Sequence, residues 1–293
     1  MVTEVLSADL IVWLSILLKA LTYAATLLAV GSPFILLALS SLDDSDRAHV
    51  VRVGVISALV AVVLSALRLP VSASYLMGGS WAGAFDPMIL TLVAESPLGT
   101  SVAVRTLGLV LTLALLFRHR AALPLAATGS FVAALSFGLR GHVLEEPRVI
   151  LAALVTVHIL CLGLWIAALP PLMRAARVHD PVTAGTIAHE FGTKAIWVVA
   201  GLTSVGGAML AVFGVLGVDA LNTPYGQGFL IKLVLFAVVL GLAALNKLKL
   251  TPELQAAGST SRSRLHRSIQ AETGVIGLIL LTTATLTTIS SPG

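Results

Sequence analysis

Residues 151–169 read LAALVTVHILCLGLWIAAL. Nineteen positions pass without a Lys, Arg, Asp or Glu, and His158 is the only basic group among them. As a helix rising about 1.5 Å per residue, the stretch is about 28 Å long, which matches the hydrocarbon core of a bilayer. A strand reading fails, because the apolar run is continuous and has no sustained period of two. This one stretch therefore reads as a membrane-spanning helix, and its lone histidine stands out against it.

Outward from it, the chain repeats the pattern. Eight segments are long and apolar enough to span: roughly 10–39, 50–77, 98–117, 121–140, 149–173, 191–217, 226–246 and 268–290. Of the 293 residues, 57% are hydrophobic and 11% charged, and mean hydropathy is +1.01. A soluble domain carries roughly 25% charged residues, so a water-facing globule is excluded. Disorder is excluded too, since it needs charge and little apolar mass. The stretch Phe85–Ala94 is too short to span and lies at the interface or folds back as a short helix, with Trp81 and Phe85 near the membrane edge. The expected fold is an all-α polytopic membrane protein of eight spans. It forms one integral membrane domain over 1–293, with four-helix halves at about 1–141 and 142–293. Glu4 and Asp9 are the only charges before Lys19, and the run Leu10–Leu39 exceeds a signal peptide's apolar region of about 7–15 residues. The first span is therefore expected to be retained. A single cysteine excludes an internal disulfide.

Charge sets the orientation. Twelve of the 18 Lys and Arg residues fall in or beside loops 1, 3, 5 and 7, from Arg47 and Arg52 through to Arg264 and Arg267. The even loops hold only Arg68, Arg140 and Arg148. The positive-inside rule puts the odd loops in the cytoplasm and both termini in the periplasm. The net charge of +4 and the pI of 9.6 then express topology, with no nucleic-acid partner implied.

Two decapeptides match at a fixed offset. Residues 96–105 read SPLGTSVAVR and residues 223–232 read TPYGQGFLIK. Each has a hydroxyl residue, Pro, Gly two positions on, and a basic residue six positions after that Gly. The pairs Ser96/Thr223, Pro97/Pro224, Gly99/Gly226 and Arg105/Lys232 imply a parallel 4+4 duplication.

Few residues inside the spans are able to do chemistry. His158 lies about 13 Å below the outer surface, counting from Val149. An ionisable group at that depth is a functional candidate by default. Cys161 follows at i+3 on the same face, and imidazole with thiol suits a soft ion such as Cu(I). A helix-to-helix hydrogen bond for His158 and plain packing for Cys161 are the structural alternatives. Trp165, one turn further, reads as packing. His142 follows Gly141 at the outer end of span 4. Met77 and Met88 lie outside between spans 2 and 3, where thioethers would accept a soft ion. Asp86, Glu95, Glu145, Glu146 and Asp219 gather in the outer loops, either as an acidic vestibule for a cation or as solvated loop-tip carboxylates. Arg105 and Lys232 are charges two turns into their helices, able to snorkel outward or to act as gates. Glu272 reads as a first-turn carboxylate favoured by the helix dipole. His49, His119, His179, His189 and His266 read as solvated groups in or beside odd loops. No nucleotide loop, H-E-x-x-H or nucleophile elbow is present, so no enzyme activity is expected.

At this point a resemblance emerges. NTPYGQGFLIKLVLFAVVLGLAALNKLKLTPEL (222–254), HILCLGLWIAALPPLMRAAR (158–177) and RSIQAETGVIGLILL (267–281) resemble signature blocks of the copper resistance protein D (CopD) family. His142 stands where that family often has a Gly-His pair. The resemblance implies a multi-pass bacterial inner-membrane protein that handles copper, generally importing it. It also implies a periplasmic copper-binding partner of the CopC type, expected on a separate chain because no such domain is read here. The expected function is copper import, with the ion passing Met77, Met88 and His142, then His158 and Cys161, within the lipid bilayer. Two other readings stay open: a b-type haem redox protein pairing His142 with His158 or His49 with His189, and a non-conducting membrane partner of a copper chaperone.

Overall fold

A computed structural model describes residues 10–117, 119–141, 147–212, 223–256 and 261–289. Among the described residues there is no strand, and eight helices are long and apolar enough to cross a membrane. They are α1 (Leu10–Ala38), α2 (Asp44–Leu76), α3 (Pro97–Thr112, continued as a 3₁₀ turn to Leu116), α4 (Ala122–Leu135, continued to Leu139), α5 (Arg148–Val178), α6 (Pro181–Val212), α7 (Pro224–Leu245) and α8 (Ser261–Ile289). The all-α polytopic class is therefore observed. The weak stretch after α2 is a 3₁₀ turn, Trp81–Phe85, followed by a short helix, Pro87–Glu95, started by Pro87 and capped by Asp86.

Three helices begin earlier than hydropathy places them. α2 starts at Asp44 instead of 50, α6 at Pro181 instead of 191, and α8 at Ser261 instead of 268. The added turns are polar and lie beyond the apolar window, yet those of α2 and α6 have a capping residue that makes them helical. Asp43 caps α2 by accepting from the Asp46 amide at 2.7 Å, and Asp180 accepts from the Val182 and Thr183 amides ahead of α6. The two matching decapeptides do one local job: Ser96 accepts from the Leu98 amide and Thr223 from the Gly226 amide, each just before a proline at the helix start.

Helix α1 is central, packing on α2, α5 and α8, while α5 also packs on α6 and α8. The α1–α5 approach depends on Gly31 and Gly163. A side chain at Gly31 would collide with the Gly163 carbonyl, so the two backbones touch, as small-residue helix pairs in membranes do. Helices α3 and α4 pair in the same way at Gly108 and Gly129. Loops 1, 5 and 7 gather on one face. Ser40 and Ser41 donate to the Glu190 carboxylate, and Arg262 donates to the Arg177 carbonyl. We call this the odd-loop face.

Candidate functional site

Helix α5 carries the site. His158, Cys161 and Trp165 fall at i, i+3 and i+7, one stripe running toward the odd-loop end. The Nδ1 atom of His158 is buried and has no hydrogen-bond partner. Lys232 on α7 is near enough for its charge to act on the imidazole. Half-buried Cys161 faces α6, where a Cβ at Gly201 would come within 3.2 Å of its Sγ. The absent side chain at Gly201 leaves that space to the thiol.

One turn further, Trp165 does more than pack. Its indole Nε1–H donates to Glu272 Oε1 at 2.6 Å. The other carboxylate oxygen of Glu272 accepts from Asn246 Nδ2 at 3.1 Å. Both Trp165 and Glu272 are 3% exposed. Because α8 begins at Ser261, Glu272 is the twelfth residue of its helix and lies far from the first turn, which corrects the helix-dipole reading. Asn246 opens a π-helical turn, Asn246–Leu250, whose looser winding is closed by the Thr251 hydroxyl bonding to the Asn246 carbonyl at 2.8 Å. Such turns recur at functional sites because they shift side chains out of helical register. A cavity of about 370 Å³ lies here, lined among others by Trp165, Phe191, Asn246, Lys247 and Glu272. Lys247 crosses it to donate to the Gly192 carbonyl at 2.6 Å. The stripe thus runs from an unpartnered imidazole, past a thiol, to a buried carboxylate on a cavity.

The remaining candidates fall elsewhere. His142 lies outside the described residues, as do Glu145, Glu146 and Asp219. Met77 ends α2 and leans on Gly83, and Met88 is 81% exposed on the short helix Pro87–Glu95, so both sit on the surface away from the stripe. Arg105 does not snorkel. It is fully buried, with Nε donating to Ser136 Oγ at 3.1 Å and Nη2 to Ser101 Oγ at 3.2 Å, and its guanidinium lies 4.2 Å from the Phe137 ring centre.

A second cluster sits at the odd-loop face. His179 is not simply solvated: its Nε2 lies 2.7 Å from Asp46 Oδ2, while Arg174 Nε donates to Asp46 Oδ1 at 3.0 Å. Asp43, Asp46 and His179 are close enough to surround an ion. Arg174 already supplies positive charge to Asp46, however, so the group works as a clamp between α2 and α5. The Asp46 amide, then the Ser45 hydroxyl, hold the exposed Asp43 carboxyl below the ordinary carboxylate range.

The sequence reading missed Trp165 and Asn246 as partners of Glu272. A usable signal existed: a carboxylate within an apolar helix must find donors.

Residues 7–147 match the family model described as copper resistance protein D-like, N-terminal domain, and residues 185–286 match copper resistance protein D. The chain is 26% identical to a protein of Bacillus subtilis (strain 168) described as copper transport protein CutJ, over 94% of this chain and 52% of that protein. The chain thus spans about half the length of that curated relative. No solved structure matches. Two models of one family, on either side of the α5 stripe, account for most of the sequence, and the chain belongs to the copper resistance protein D family.

Proposed function

We propose that the protein imports copper across a bacterial inner membrane, with the odd-loop face in the cytoplasm and both termini outside. The observation that carries this reading is the buried, unpartnered Nδ1 of His158 one turn from the Cys161 thiol. A neutral imidazole and a thiolate or thiol are ligands for soft ions, and a polar group left free in an apolar helix is otherwise costly. The ion enters from the periplasm and is held at His158 and Cys161. It then moves to the cavity, where Glu272 supplies the negative charge that a cation needs away from water. The relative's name, copper transport protein, supports the cargo. A periplasmic copper carrier of the CopC type would deliver it to the outer face, and surrounding lipid completes the environment. The protein acts as a conduit and not as an enzyme.

The test is copper accumulation in cells expressing wild type or His158→Ala at matched membrane levels. Accumulation should fall about tenfold or more with the variant. Wild-type accumulation by a normally folded variant would remove His158 from the path.

A further inference from the structure

The first four helices contain a second unusual feature, built from residues outside the stripe. Arg68 of α2 and Arg140 at the end of α4 act electrostatically on Lys19 of α1 and on Arg105 of α3, Arg140 acts on Arg68, and the Tyr23 phenol of α1 lies among the guanidinium groups. Lys19, Arg68 and Arg105 are 5%, 6% and 0% exposed. Three of the four lie about two turns in from the helix ends that face the even loops. Among the described residues no carboxylate pairs with any of them. The described acids nearest in sequence are Asp86, which caps the short helix Pro87–Glu95, and exposed Glu95.

Some of the hydrogen-bonding capacity is used. Lys19 donates to the Thr287 carbonyl and to the Thr287 and Thr288 hydroxyls near the end of α8. Arg105 uses Nε and Nη2 on two serines. What remains is specific: the Nη1 atoms of Arg68, Arg105 and Arg140 are all buried without a partner. Buried cations without counter-charge are strongly unfavourable, and unsatisfied guanidinium donors add to that cost. An external anion would relieve both at once.

We propose that Lys19, Arg68, Arg105 and Arg140 form a binding site for a phosphate-type oxyanion in the N-terminal half of the bundle. Guanidinium forks match the oxygen pairs of oxyanions. A phosphate group has enough oxygens to accept from all three free Nη1 atoms, whereas a carboxylate has two and chloride offers a single point charge. The negative charge of the phosphate also answers three clustered guanidinium groups better than one carboxylate. The phosphate comes either from a lipid headgroup at the even-loop face or from solution. The site stands independently of the copper path, since it shares no residue with the α5 stripe.

The experiment uses the full chain, purified in detergent, delipidated and exchanged into phosphate-free buffer. The thermal midpoint is followed against millimolar inorganic phosphate, against a short-chain phosphatidylglycerol, and against chloride at matched ionic strength. A saturable rise of about 5 °C is expected with phosphate or with the lipid and not with chloride. A response to inorganic phosphate identifies a free ion, and a response to the lipid alone identifies a headgroup. Arg68→Gln should abolish the rise, and Arg68→Lys should retain part of it. Should Arg68→Gln fail to fold, Arg140→Gln serves the same purpose. No rise with either ligand in the wild type would overturn the proposal, as would a full rise in both glutamine variants.

Discussion

Trp165 and Glu272, 107 residues apart in the chain, meet across 2.6 Å as indole N–H donor and carboxylate acceptor. The bond joins α5, which carries His158 and Cys161, to α8, which carries the only carboxylate named among the residues lining the cavity. It fixes the indole against the carboxylate and orients Glu272 toward Asn246. Trp165→Phe keeps the aromatic volume and removes the donor. The buried carboxylate then has the Asn246 amide alone, at a cost of about 1–2 kcal/mol. The thermal midpoint in detergent should drop by about 2–8 °C. An unchanged midpoint would show that the bond contributes nothing to holding α5 and α8 together.

Glu272→Gln separates charge from shape. The amide is isosteric and its oxygen still accepts from Trp165, so the variant should reach the membrane and purify as a folded protein. If the carboxylate carries the cation through the cavity, copper accumulation should fall about tenfold or more, and Glu272→Asp should restore part of it. Full accumulation by Glu272→Gln at normal protein levels would confine Glu272 to a structural role.

The eight spans were legible because hydrophobicity acts locally: a nineteen-residue, nearly all apolar stretch such as 151–169 has few places to be except a bilayer. What lay beyond the bilayer was not legible. The first turns of α2, α6 and α8 are polar, and a hydropathy window reads polar helix and polar loop alike. That error moved Glu272 into a first turn it does not occupy. His158 and Cys161 were found because a polar group in an apolar run is visible in one dimension. Their continuation to Trp165, Glu272 and Asn246 needs contacts across 107 and 26 residues, which no local pattern encodes. Arg105 shows the same limit. Its burial depends on Ser136, 31 residues away, accepting from it.

The α1–α5 crossing makes a sharp steric prediction. A side chain at Gly31 meets the Gly163 backbone, which has no rotamer to move aside. Gly31→Leu must push α5 away from α1 and disturb the α5 stripe with it. Overpacking of this kind costs about 1–3 kcal/mol, often more where backbone is the obstacle. Loss of monodisperse protein in size-exclusion chromatography, or a midpoint lowered by several degrees, is the expected result. Gly206, with open space around it on α6, is the control: Gly206→Leu should behave as wild type. Equal behaviour of the two variants would refute the close approach.

The start of α2 should make stability respond to acid. Asp43 accepts from the Asp46 amide at 2.7 Å and the Ser45 hydroxyl at 2.8 Å, and these bonds hold its carboxyl below the ordinary range. A carboxyl whose folded value is depressed stabilises the fold above its unfolded value, near 3.9. That contribution disappears as pH falls through the folded value. Asp43→Asn keeps an N-cap acceptor without the charge that favours a helix start. At pH 7 the wild type should melt above Asp43→Asn, and the gap should close as pH drops below about 4. Thermal midpoints measured at half-unit steps from pH 3 to pH 7 give the comparison. Parallel curves across that range would show that the Asp43 charge does not stabilise the cap.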